Sequence, residues 1–137
     1  MDARSPAQTY ALVFGVVLVA AGIIGFFYEA SFAYSAAAVG QLFGILDVNG
    51  WHNLVHVLTG AVGLAVVGSY SGARMYALVF GVVYVLVAIW GFASTPVILD
   101  LLPVNTADNI LHLLIGVAGL WAYSATSSAP APSTSAT

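Results

Sequence analysis

Four stretches of this chain, approximately Gln8–Tyr28, Gly50–Tyr70, Met75–Ala93 and Thr106–Ala125, are long, apolar and free of lysine and arginine. A helix needs about 20 such residues to cross the roughly 30 Å hydrocarbon core of a bilayer. Between the second and third stretches lie only Ser71, Gly72, Ala73 and Arg74, a link short enough to force an antiparallel helical hairpin. The expected fold is therefore all-α, a transmembrane four-helix bundle. Only 5% of the residues are charged, against about 25% in a typical globular domain. Two arginines cannot neutralise a phosphate track, which excludes a nucleic-acid partner. The absence of cysteine excludes a disulfide scaffold, a thiolate metal site and a cysteine nucleophile.

Residues 1–7 read as a short cytoplasmic segment, 8–125 as the membrane domain and 126–137 as a tail. The tail, TSSAPAPSTSAT, has almost nothing to bury and is expected to be disordered. Ser5-Pro6 fits a helix start. Asn49 and Asn105 stand where the second and fourth helices should be N-capped, with Asp108 placed to complete the cap of the fourth. Arg4 and Arg74 fall on one side of a four-span chain, so the positive-inside rule puts both termini in the cytoplasm of a bacterial cell. Ser31-Phe32-Ala33 imitates a signal-peptide cleavage site, but the apolar run before it is too long and has a near copy downstream.

That copy reveals an internal repeat. Tyr10–Phe26 (YALVFGVVLVAAGIIGF) and Tyr76–Phe92 (YALVFGVVYVLVAIWGF) agree at 12 of 17 positions, and Val48–Leu64 (VNGWHNLVHVLTGAVGL) and Val104–Leu120 (VNTADNILHLLIGVAGL) at 8 of 17. Apolar bias explains scattered Val and Leu matches. It does not align Asn49 with Asn105, Asn53 with Asn109 and His56 with His112. The expectation is two tandem helical hairpins, residues 8–70 and 75–125, related by a pseudo-twofold axis along the membrane normal. Between the first two spans, the uncharged Ser31–Ile45 portion reads as a short interfacial or capping helix.

The polar residues concentrate in the matched segments: Asn49, His52, Asn53 and His56 in one, Asn105, Asp108, Asn109 and His112 in the other. His52 and His56 are four apart, as are Asp108 and His112, so each pair shares a helix face. Gly60 and Gly63 continue the first face, and Gly116 and Gly119 the second; His52, His56, Gly60 and Gly63 fall within about an 80° arc. Such glycines either let backbones approach or leave room beside the imidazoles. His56 and His112 lie about 10 Å beyond their helix starts, where an unpaired polar group costs several kcal/mol. They require partners.

Four arrangements satisfy that requirement. The first is a structural hydrogen-bonded network across the pseudo-twofold, which implies a non-enzymatic protein with a structural or accessory role, alone, as a homo-oligomer or beside a membrane-protein partner. The second is a zinc or other divalent metal site using His52, His56, Asp108 and His112. The third is haem b with His56 and His112 as axial ligands, and the last a proton relay. A relay lacks polar groups in the cytoplasmic half, where only Thr59 and a few small residues stand. Tyr10, Tyr28, Tyr70, Tyr123, Trp51, Trp90 and Trp121 read as an interfacial aromatic belt, and Phe14 and Phe80 as core.

The YALVFGVV starts and the V-N-x-x-[HD]-N-[LI]-[VL]-H-x-L-x-G-x-x-G-L segments resemble the bacterial small membrane proteins grouped as domain of unknown function 4383, over roughly Tyr10 to Tyr123. The resemblance implies a four-span bacterial membrane protein and carries no activity or ligand. One departure within the repeat stands out. Where the second helix has His52, the fourth has Asp108.

Overall fold

The computed structural model describes residues 4–33, 39–94 and 97–127. The element order is α1 (Pro6–Gly25), β1 (Gly40–Leu42), β2 (Leu46–Val48), α2 (Gly50–Val66), α3 (Tyr70–Ala93), β3 (Val97–Ile98), β4 (Leu102–Pro103) and α4 (Thr106–Ala125). The helix starts follow the capping signals. Ser5 and Gln8 form a capping box with Pro6 in the first turn of α1. Asn49 accepts from His52 N, and Asn105 and Asp108 cap each other's backbone. The third helix starts earlier than its sequence pattern indicates. Ser69 caps it by accepting from Gly72 N, so Ser71–Arg74 is its first turn rather than a link.

The closest helix pairs are α1 with α2 and α3 with α4. Their backbones nearly touch: a Cβ added to Gly60 would lie 2.7 Å from the Gly15 carbonyl oxygen, and one on Gly116 would lie 2.9 Å from that of Gly81. The glycine stripe therefore brings helices together rather than leaving space beside the histidines. Small residues line the interior, with Ala7, Ala11, Ala73, Ala77 and Ala122 packed around Tyr10, Tyr76 and Tyr84. The outward faces carry Val16, Leu58, Leu86, Leu114 and Val117, each about half exposed or more. Helices α1 and α3 are long and apolar enough to cross a membrane. α2 has 17 residues and α4 opens on a polar turn.

Tyr10 departs from the expected aromatic belt. It is buried, and its hydroxyl donates to Ile115 O, while its counterpart Tyr76 donates to Thr59 O. Phe14 and Phe80 pack against the buried core as expected. Thr126, assigned to the tail by sequence, is buried, and its hydroxyl accepts from Ala7 N and donates to Ala122 O. Ser127 O accepts from the Tyr70 hydroxyl, and 128–137 lie outside the described residues.

The expected helix over Ser31–Ile45 is corrected. Residues 34–38 fall outside the described residues, and 40–48 form the antiparallel hairpin β1–β2. A second hairpin, β3–β4, precedes α4. Each turns on two successive residues of positive φ, Phe43-Gly44 and Leu99-Asp100, with Ile45 N and Leu101 N closing onto Leu42 O and Ile98 O. This is the type I′ geometry whose twist suits a hairpin. The two hairpins touch each other through β2 and β4 and form a lid over the starts of α2 and α4.

Candidate functional site

Beneath this lid the two polar segments meet. The Asn49 side chain caps α2 through its oxygen and sends its Nδ2 across to Leu101 O at 2.7 Å. Asn105 does the converse, capping α4 and donating to Ile45 O at 2.8 Å. Each helix start is thus tied to the other half's hairpin. Asn53 and Asn109 sit one turn deeper, each with its amide oxygen against a glycine of the preceding helix, Gly25 and Gly91 respectively. Asn53 Nδ2 donates to Glu29 O.

Asp108 is buried, and its Oδ2 accepts from both Asn105 N and Asp47 N, each at 2.9 Å. Its counterpart His52 faces the backbone carbonyls of Asp47 and Pro103. The difference has a local cause. At the position matching Asp47 the second half has Pro103, which has no N–H to offer a carboxylate. A carboxylate stands where the opposite hairpin supplies a donor, and an imidazole where it supplies only an acceptor. Asp108→Ala removes two bonds to an ionisable acceptor and part of a cap, and should lower stability by about 3 kcal/mol. Thermal unfolding in detergent measures this.

The three histidines converge. Their candidate ligand nitrogens all lie within 4.8 Å of one another. Ring centroids are 4.4 Å apart for His52 and His56, 5.8 Å for His52 and His112, and 6.4 Å for His56 and His112. His52 and His112 are buried, at 2% and 5% exposure. Asp108, expected as a fourth ligand, is engaged with backbone amides and lies outside this group. The Nδ1 atoms of His52, His56 and His112 are buried and have no hydrogen-bond partner among the described residues.

Several parts of the site escaped the sequence reading. Tyr84, in the middle of α3, is buried with its ring 5.4 Å from that of His112 and its hydroxyl within hydrogen-bond reach of Thr59. The Thr59 hydroxyl itself donates to Val55 O and His56 O on its own helix. A tyrosine replacing the first half's Leu18 within a copied segment was the available signal. Gly25 and Gly91, which seat the asparagines, were visible only as matched positions.

The family model described as Domain of unknown function (DUF4383) matches residues 8–125. No curated protein and no solved structure matches the chain. With most of its length matched, and the polar positions inside the matched span, the chain belongs to the DUF4383 family.

Proposed function

We propose that the chain is a multi-pass protein of the bacterial cytoplasmic membrane, a bundle of two tandem helical hairpins that holds a divalent transition-metal ion on His52, His56 and His112. The observation that carries this reading is the convergence of three imidazoles, His52 and His112 buried and His56 half-buried, whose buried Nδ1 atoms have no hydrogen-bond partner among the described residues. The Oδ1 atoms of Asn53 and Asn109 are likewise without a partner among the described residues, at a cost of about 1–3 kcal/mol each, but only the histidine nitrogens converge. A bound cation would engage all three imidazoles together. At metal–nitrogen bonds of about 2.0–2.1 Å, tetrahedral ligands stand roughly 3.4 Å apart, so small side-chain rotations close the site. Imidazole suits zinc, copper, iron and nickel.

The polar cluster then divides by task. Asn49, Asn53, Asn105 and Asp108 fasten helices and hairpins by hydrogen bonds, Asn109 packs against Gly91, and the histidines bind. Space favours an ion over haem b. The two cavities beside the histidines are about 60 and 70 Å³, far below the 300 Å³ or more of a typical cofactor pocket.

The membrane placement rests on the small-residue interior and apolar exterior. Both termini are assigned to the cytoplasm because Arg74 and the start of α1 meet at Thr126, where Arg74 Nε donates to Thr126 O and stacks over Tyr123. The metal site then lies toward the external face. We assign the protein a binding or accessory role rather than an enzymatic one.

Elemental analysis of full-length protein extracted from membranes should find about one zinc, copper or other first-row ion per chain. Cobalt(II) added to stripped protein should give an intense visible spectrum of low-coordinate nitrogen ligation. Wild-type protein that retains none of these ions after titration with zinc, copper and cobalt overturns the proposal. At ion concentrations a thousand times Kd, binding should raise stability by about 4 kcal/mol.

A further inference from the structure

The two cavities beside the histidines are images of each other. One lies between α2 and α3 under β4, the other between α4 and α1 under β2, and their linings occupy matched positions of the two halves. Their chemistry differs. The first is lined by His52, His56 and His112 together with Thr59 and Tyr84. In the second, Asp108, Ile115 and Leu18 stand at the positions of His52, Thr59 and Tyr84. All three imidazoles therefore border only one of the two spaces, and the hydroxyl groups border that same one.

We infer that an ion on the three histidines keeps a coordination position open into the α2–α3 cavity, and that this cavity admits a small exogenous ligand of two or three non-hydrogen atoms, hydrogen-bonded by Tyr84. The inference rests on the metal-binding reading above and adds the ligand's size, route and partner. Three nitrogen ligands leave a tetrahedral ion one position short, the pattern of sites that bind something further. The cavity volume of about 60 Å³ exceeds the roughly 10–15 Å³ that one water requires by the same kind of measure. It excludes an organic substrate of ordinary size. The Thr59 hydroxyl donates its proton to carbonyls of its own helix. Its oxygen can accept from Tyr84, which positions the phenol at the cavity wall, and the phenolic proton can turn to an incoming ligand.

Azide is a suitable probe, with cobalt(II)-loaded full-length protein in detergent and the visible spectrum as readout. Azide should shift the cobalt bands of the wild type in a saturable way. Tyr84→Phe should retain cobalt and weaken azide by about tenfold, the worth of one hydrogen bond to an anion. A paired comparison covers the case in which Tyr84→Phe does not fold. Val87→Phe fills the α2–α3 cavity and should abolish the azide shift, whereas Ala21→Phe at the image position should leave it intact. No azide shift in cobalt-loaded wild type overturns this inference alone. So does full azide affinity in Tyr84→Phe, or loss of the shift in Ala21→Phe but not Val87→Phe. Failure of the wild type to take up cobalt overturns the metal reading with it.

Discussion

Stripped of metal, His112→Leu should melt no lower than the stripped wild type, and on titration it should take up no cobalt. The two halves of this expectation follow from the same atoms. The His112 Nδ1 is buried without a partner among the described residues, and replacing an unsatisfied polar group by an apolar one of similar size is neutral or stabilising. Were the histidine structural glue, its removal would cost the 0.6–2 kcal/mol of an interhelical hydrogen bond, roughly. Losing even an outer partner of a metal ligand costs about 10–100-fold in affinity, and losing one of three ligands should exceed that. His52→Ala and His56→Ala should likewise take up no cobalt, though His52→Ala also gives up the carbonyls of Asp47 and Pro103. Asp108→Ala supplies the contrast: it should lose stability and keep cobalt, since its carboxylate serves the amides of Asn105 and Asp47. Cobalt binding retained in His112→Leu, together with a lower melting temperature of the apo-protein, would return the cluster to a purely structural role.

Gly60→Ala should be among the most damaging single-atom additions available to this fold. The new methyl would meet the Gly15 carbonyl and the Val19 amide, both at 2.7 Å. Neither is a side chain that can swing away, so α1 and α2 must separate along their length. Overpacking costs about 1–3 kcal/mol when neighbours can adjust, and contact with backbone places this site at the upper end. That corresponds to a fall in melting temperature on the order of 10 °C. Gly68→Ala is the control, because none of the described residues lies within 4 Å of its added Cβ, and it should be nearly neutral. Equal melting temperatures for the two variants would show that α1 and α2 do not meet as described.

What could be read from the sequence was whatever local chemistry announces. Ser5, Asn49 and Asn105 cap helices because their side-chain oxygens satisfy the first free amides, and that need is the same in any fold. The alignment of His56 with His112 put both at matched positions of α2 and α4, and the three imidazoles do converge. The hairpins were hidden for an equally local reason. Their turns are Phe43-Gly44 and Leu99-Asp100 instead of the Asn-Gly or Asp-Gly that such geometry favours, and their strands are too short to show alternation. Tyr10 sits near a helix end, as belt residues do, but the packing of α4 against α1 turns it inward. Asp108 could not be separated from the histidines by spacing alone. The amide of Asp47 that engages it lies 61 residues away in sequence.

The crossed amides of Asn49 and Asn105 make the two halves behave as subunits that happen to share a chain. Each is finished only by the hairpin of the other. A first half paired with its own copy would set His52 against His52 and gather four imidazoles. A second half paired with itself would bury two Asp108 carboxylates, each facing a Pro103 that has no N–H to give. Only the mixed pair yields three imidazoles and one satisfied acid. Carrying both halves on one chain keeps these two unlike members side by side.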